Sequence, residues 1–384
     1  METMANWFGL SDGHKDFFIE IDTHASLFFA RNQLNEQLQA LLRKSFRTGN
    51  PPKFVLFGDW GTGKTHTMRH IEYVIRTHSD YNGYPVFVDM PDIRSKDNFQ
   101  AAYAVFLDAL GLNLVRNWML QYQSKHQSKA MDTIQHVTQS EDIAKAFMSL
   151  FSFGDTMRIS WDWLRGLQLS AADARNAGLP PALSQSNQQV SVLRMLGRLS
   201  VDVEDKLLIF MLDEADKLRS VTNSDAIAHW VNAFRMLADK QTKEVGLIVS
   251  ASFRDDDMHP ALADEQVKTR FGERNYIQLQ NFGNEEAVQF VSDLLENWTD
   301  PNKRAALLDK YDAERNAEPI NSRSFPFTEK AFKRFIDYVL RNGGITTPRD
   351  IQHAIDAILN TAIDDKRHIL SRKYLDSLFA ASIV

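Results

Sequence analysis

The run Gly58-Asp59-Trp60-Gly61-Thr62-Gly63-Lys64-Thr65 has the residue types and spacing of a turn that holds phosphate. Each place has a physical duty. Glycines at 58, 61 and 63 let the backbone fold tightly enough for successive N–H groups to face one anion. A helix opening at Lys64 adds the positive end of its dipole. Lys64 offers a mobile cation to the outer phosphates of a nucleoside triphosphate, and Thr65 offers a hydroxyl to its Mg²⁺. Asp59, Trp60, Thr62 and His66 complete the expected binding stretch, whose ligand is ATP with Mg²⁺. The competing reading is a chance glycine-rich turn. The apolar run before it and the helical pattern after it argue against that.

A second stretch, Leu207-Leu208-Ile209-Phe210-Met211-Leu212-Asp213-Glu214-Ala215-Asp216, is a buried strand that delivers two acids at its C-terminal end. Ligands of open α/β sheets bind at that end. Asp213 is the expected Mg²⁺ holder, through water, and Glu214 the group that orients and activates the attacking water. Asp216 reads as a cap or ion-pair partner. His66 and His70 lie four apart, but Thr67 stands where a zinc helix needs its glutamate, so packing is the expectation. Asp255-Asp256-Asp257 reads as a solvated loop. Trp118, Trp161 and Trp163 are expected in core or partner-facing packing. Trp60 either covers the nucleotide or simply packs.

These residues need a frame. Phe54–Phe57, Val86–Asp89, Leu207–Leu212, Val245–Val249 and Tyr276–Leu279 read as strands. They alternate with helices, including one from Lys64 to His78 with Met68, Ile71, Val74 and Ile75 inward. Such alternation predicts an α/β fold with a parallel five-stranded core covered on both faces. A helix is expected over Ala25 to Phe46. A single crossover takes about 30 residues, so the stretch 92–205 predicts a helical insertion. After residue 282 the chain reads as an all-helical lid domain. Asn284 is expected to cap its first helix, Thr328 opens another, and Thr347-Pro348 a third. The expected domains are an arm, 1–24, the nucleotide-binding domain, 25–282, and the lid, 283–384.

Composition narrows the class. The chain has 384 residues, 43% hydrophobic and 24% charged, a globular balance large enough for two or three domains. A net charge of -6 excludes a globally basic nucleic-acid footprint. The absence of cysteine excludes disulfides and thiolate metal sites and accords with a reducing compartment. Met1 to Leu10 lacks the pattern of a signal peptide. The longest apolar runs are strand-sized. A cytoplasmic protein without membrane contact is expected.

The two motifs, followed by an all-helical region, resemble those of AAA+ ATPases, and among them the origin-initiator clade, over about Ala30 to Leu359. Arg31-Asn32-Gln33-Leu34 resembles that clade's N-terminal signature. Val267-Lys268-Thr269-Arg270-Phe271-Gly272 resembles its arginine-finger box. This implies that Arg270 reaches the γ-phosphate held by a neighbouring subunit, in a homo-oligomer that shares its ATP site. Val249-Ser250-Ala251-Ser252 falls where the family keeps a polar sensor. Asparagine is commoner there, and Ser252 or Ser250 fills the place. Gly343-Gly344-Ile345-Thr346-Thr347-Pro348-Arg349 resembles the lid's second sensor, with Arg349 touching nucleotide. Origin initiators usually continue into a winged-helix DNA-binding domain, which is not expected before Val384. The insertion, with Trp161-Asp162-Trp163-Leu164-Arg165-Gly166, lies outside the initiator pattern. It loosely resembles ATPases of phage-resistance islands such as BREX; transposition-regulator ATPases also carry a bare AAA+ module. The resemblance implies an oligomeric ATP-driven switch or remodeller acting on DNA or a DNA-bound complex, in phage defence, transposition or replication. The alternative is a nucleotide-gated scaffold that assembles on ATP and recruits an effector protein.

Overall fold

The computed structural model describes residues 3–21, 23–254, 257–310, 318–342 and 347–381. They fall into two compact units. One comprises Gln37–Gly58 and Met68–Gln278, the other Met1–Glu36, Asp59–Thr67 and Leu279–Val384.

The first unit is built on a five-stranded parallel sheet. Its strands are β1 (Lys53–Phe57), β2 (Gly83–Asp89), β3 (Leu207–Asp213), β4 (Val245–Ala251) and β5 (Tyr276–Gln278), in the spatial order β2-β3-β4-β1-β5. Every pairing is parallel. All seven residues of β4 and the last six of β3 are buried, as a sheet covered on both faces requires. Because the strands run one way, Gly58, Asp89, Asp213 and Ser252 leave the sheet at one edge, with Asp89 opposite Asp213 in register.

Between β2 and β3 lie the helices Gln100–Leu110, Leu112–His126, Ala130–Thr138, Glu141–Ser149, Asp155–Leu164, Ala171–Ala177 and Ser186–Glu204. The expected insertion is therefore helical, and it extends the core of the sheet. Trp118, Trp161 and Trp163 are buried in one apolar cluster with Val86 and Phe210. The Phe106 and Phe210 rings meet with centroids 4.5 Å apart. The expected partner-facing alternative for those tryptophans falls away, because none is exposed.

The second unit gathers the helices Asn284–Trp298, Pro301–Lys310, Glu329–Asn342, Pro348–Asp364 and Arg372–Ala380. The N-terminal arm belongs to it. The short helix Met4–Phe8 buries Met4, Trp7 and Phe8 in the same core as Leu294, Trp298, Phe335 and Ile355. The Trp7 indole donates to the Arg367 carbonyl at 2.8 Å and stacks on His368 at 3.8 Å.

Two local expectations are corrected. The helix expected from Ala25 begins at Asn32 and ends at Thr48, because Ala30 takes a left-handed φ of 59°, which a helix cannot pass through. Helix Asn284–Trp298 is capped at Gly283, not Asn284: the Glu286 carboxylate reaches back to the Gly283 N–H at 3.0 Å. Thr347 caps its helix as expected, accepting from the Asp350 N–H at 3.1 Å with Pro348 next in the chain. Among the described residues, no helix is long and apolar enough to cross a membrane.

Candidate functional site

In the helical unit, the loop after β1 has the backbone its glycines predict. Gly61 and Gly63 take φ of 81° and 88°, and Gly58, the last residue of the sheet unit, takes 152°. Side chains rarely adopt such values. The loop runs directly into the helix Lys64–Thr77. Inside the loop, the buried Thr62 donates its hydroxyl to the Asp59 carbonyl at 2.9 Å. Lys64 donates its ammonium to the same carbonyl at 2.7 Å, so the cation spans the turn it would serve. Thr65 and His66 are half-buried on the helix's first turn. His66 Nε2 lies 3.2 Å from the His24 carbonyl, and its ring is parallel to Phe28 at 6.2 Å. His66 thus has packing partners, and His70 is buried further along the same helix.

Two groups of the same unit hold this loop. Arg31, from the signature segment, donates Nη2 to the Thr62 carbonyl at 2.9 Å and to the Gln280 carbonyl at 3.0 Å, with its guanidinium 4.8 Å from the Phe282 ring centre. Burial pushes its pKa down to about 10, against the pull of Glu286. On the other side, a Cβ on Gly61 would stand 2.9 Å from Thr347 Oγ1 and 3.4 Å from Arg349 Cβ, so only glycine allows this approach. Trp60 is 64% exposed, and the Arg349 guanidinium lies over its ring, 5.0 Å from the centre. The expected second-sensor arginine is thus beside the loop. The rest of that motif, Gly343 to Thr346, lies outside the described residues.

The sheet unit carries the acids. Asp213 is 2% exposed; Oδ1 accepts from the Glu214 N–H at 2.9 Å, and Oδ2 is buried without a hydrogen-bond partner among the described residues. A buried carboxylate oxygen left open in this way suits a cation or its bound water. Glu214 has φ 55° and ψ 33°, a left-handed conformation that costs a non-glycine residue about 1–2 kcal/mol. Its carboxylate Oε2 lies 2.9 Å from Lys217 Nζ. That ammonium also donates to the Met90 carbonyl at 2.7 Å and lies 3.4 Å from Asp92 Oδ1. Burial works against the Lys217 charge, but its hydrogen bonds and attraction to Glu214 and Asp92 prevail and raise its pKa. Asp89, the residue opposite Asp213, has its pKa raised by burial and then by Asp213 and Glu214.

Asp216, expected as a cap or ion-pair partner, accepts at Oδ1 from the Ser252 N–H at 3.0 Å, tying the turn after β3 to the end of β4. Ser252 is half-buried where the strand ends. Ser250 is 1% exposed within β4. Arg270, on the helix Glu265–Phe271, pairs with Asp239 of its own chain at 2.9 Å and stays half exposed. Asp255 and Asp256 lie outside the described residues; Asp257 pairs with Arg219. Among the described residues, no group of three His, Asp or Glu side chains stands ready to hold a metal on its own.

Two neighbours of Asp213 and Glu214 were not singled out in the sequence, Lys217 and Asp89. Lys217 carries a weak signal, being one turn beyond Glu214. Asp89 ends its strand where Asp213 ends the next, a signal visible only once the two strands are known to be neighbours.

No protein-family model and no curated protein matches the sequence. Among solved structures, the chain is similar to the ORC2 protein of Aeropyrum pernix, at 13% identity and TM-score 0.49 over 97% of this chain and 72% of that one. It is also similar to a chain of Drosophila ORC bound to DNA, at 11% identity and TM-score 0.49 over 97% and 68%. The similarity to Cdc6p of Pyrobaculum aerophilum is 15% identity and TM-score 0.45 over 95% and 67%.

Proposed function

We propose that this chain binds ATP with Mg²⁺ and hydrolyses it as an oligomeric switch or remodeller acting on DNA or a DNA-bound complex. The observation that carries the reading is the loop Gly58–Gly63: three glycines at positive φ lead into a helix N-terminus that begins with Lys64. That arrangement presents backbone N–H groups, a helix dipole and a mobile cation to phosphate. The open Asp213 oxygen supports Asp213 as a holder of Mg²⁺, and the phosphate-loop motif gives the Thr65 hydroxyl the same duty; this ion usually keeps phosphate and water among its ligands. When bound, the ion would neutralise charge on the phosphates. Glu214 would orient the water, Ser252 would contact the γ-phosphate or that water, and Arg349 would sense nucleotide. Phosphoryl transfer to water needs positioning and charge neutralisation more than covalent chemistry, and these residue types supply both. Arg270 would complete the charge across a subunit boundary. DNA as the target, and phage defence, transposition or replication as the setting, follow from the motif resemblance alone. A cytoplasmic location accords with the lack of cysteine.

The half-exposed ion pair of Arg270 with Asp239 favours keeping a second reading, a scaffold that assembles on ATP, recruits an effector protein and hydrolyses little. ATPase rate measured across protein concentration, with and without duplex DNA, separates the two. The first reading expects turnover per subunit to rise with concentration and to respond to DNA. Glu214→Gln should retain ATP, stop turnover and accumulate any ATP-dependent oligomer. Wild-type turnover in that variant would remove Glu214 from the mechanism.

A further inference from the structure

We propose that Lys217 is a positioning residue for hydrolysis, its ammonium fixing the Glu214 carboxylate in the orientation that steers the attacking water. This rests on the reading that Glu214 activates that water. Glu214 follows β3, and nothing in its own strand fixes its side chain. Its backbone is left-handed, so the chain turns sharply, and the Lys217 N–H closes that turn on the Glu214 carbonyl at 3.1 Å. The turn brings Lys217 back over Glu214, where Nζ meets Oε2 at 2.9 Å.

The ammonium does not depend on Glu214 for its place. It is seated on the Met90 carbonyl at 2.7 Å and near Asp92 at 3.4 Å, both in the segment leaving β2. That segment is itself fixed to β3, because the Met90 N–H donates to the Asp213 carbonyl at 2.9 Å. Lys217 thus transmits the rigidity of the β2–β3 pair to a side chain that would otherwise swing. An ordinary surface ion pair contributes little because both partners are free to move. Here one partner is pinned from a second strand and its side chain is only 31% exposed.

The ammonium fixes the carboxylate's direction, which is what a group that steers water needs. In phosphoryl transfer to water, orientation of the nucleophile counts for more than proton abstraction. The effect is therefore support of turnover, not restraint.

The test is steady-state ATPase of wild type, Lys217→Met, Lys217→Arg, Glu214→Gln and the Lys217→Met/Glu214→Gln double variant, with ATP affinity and thermal melting measured alongside. Lys217→Met should lower kcat on the order of 10-fold, within the ~100-fold that a misplacement of about 1 Å can cost. Its KM, ATP affinity and melting temperature should hold. Lys217→Arg, which keeps the charge, should recover most of the rate, and the double variant should be no slower than Glu214→Gln alone. An unchanged or raised kcat in Lys217→Met overturns the proposal, as does a loss carried by KM, or a Lys217→Arg as slow as Lys217→Met. If Glu214→Gln turns over normally, the reading of Glu214 fails by itself. If Glu214→Gln is inactive and Lys217→Met is not impaired, only the role of Lys217 fails.

Discussion

Replacing Arg31 by Met tests whether the segment just before the helix Asn32–Thr48 controls the phosphate loop. The side chain donates to the Thr62 and Gln280 carbonyls, and a charged donor contributes about 1.5–3 kcal/mol per hydrogen bond. Its stacking over Phe282 adds about 0.5–1 kcal/mol. Against this stands the cost of burying the charge. A pKa brought down from the ordinary arginine range to about 10 corresponds to roughly 3 kcal/mol against the charged form. The net is about 2 kcal/mol in favour of the arginine. Methionine fills similar space without the charge, so it gives up the hydrogen bonds and recovers the desolvation. If the difference falls on the loop, ATP affinity drops by about 30-fold. Lysine at the same place is shorter and lacks the planar guanidinium that lies over Phe282, so it should recover only part of the affinity. The assay is a titration with a non-hydrolysable ATP analogue followed by calorimetry. Wild-type affinity in Arg31→Met, with a lowered melting temperature, would refute the reasoning: Arg31 would then brace the fold through Gln280 and Phe282 and leave the loop unaffected.

Lys64→Ala should abolish tight ATP binding, because the loop loses its mobile cation for the outer phosphates; retained affinity in the same titration would sink the phosphate-loop assignment. Arg270→Ala should keep ATP binding while turnover falls about 10³-fold, the scale of an arginine finger, and a mixture with Glu214→Gln subunits should recover activity that neither variant shows alone. A mixture that co-assembles but stays inactive leaves Arg270 as a structural arginine.

Most of the strands were legible because they are built around an apolar run, and the loop was legible because Gly58, Gly63, Lys64 and Thr65 stand at the spacing of a phosphate-binding turn. What the sequence hid is non-local. Trp7 meets Arg367 and His368, and nothing near Trp7 in the chain announces partners so far along it. The Glu214 backbone conformation follows from the way the chain leaves β3, not from a glycine that could have been seen. Asp92 and Met90 meet Lys217 only because β2 and β3 are neighbours, and the chain runs through the whole helical insertion between those strands. Ala30 breaks the expected helix by a left-handed turn that alanine composition gives no reason to expect.

The position of Arg270 constrains what it can do. Its partner Asp239 offers its carbonyl to Lys53, the first residue of β1, at 2.6 Å. Asn275, just after the helix that carries Arg270, donates to the Lys53 carbonyl at 3.0 Å and to the Phe271 carbonyl at 2.8 Å. Arg270 therefore belongs to the end of the sheet where strands enter. Asp213 and Glu214 stand at the end where strands leave, and β1 alone spans about 13 Å at ~3.3 Å per residue. An arginine anchored at the entering end does not serve acids at the leaving end of its own sheet. Two roles remain: a clamp on Asp239, or a charge presented to another copy of the chain. The clamp is weak in either case, since a half-exposed ion pair contributes about 0–1 kcal/mol. Removing Arg270 should accordingly leave folding almost untouched, so a large loss of turnover in Arg270→Ala that the mixture with Glu214→Gln subunits repairs points to the second role.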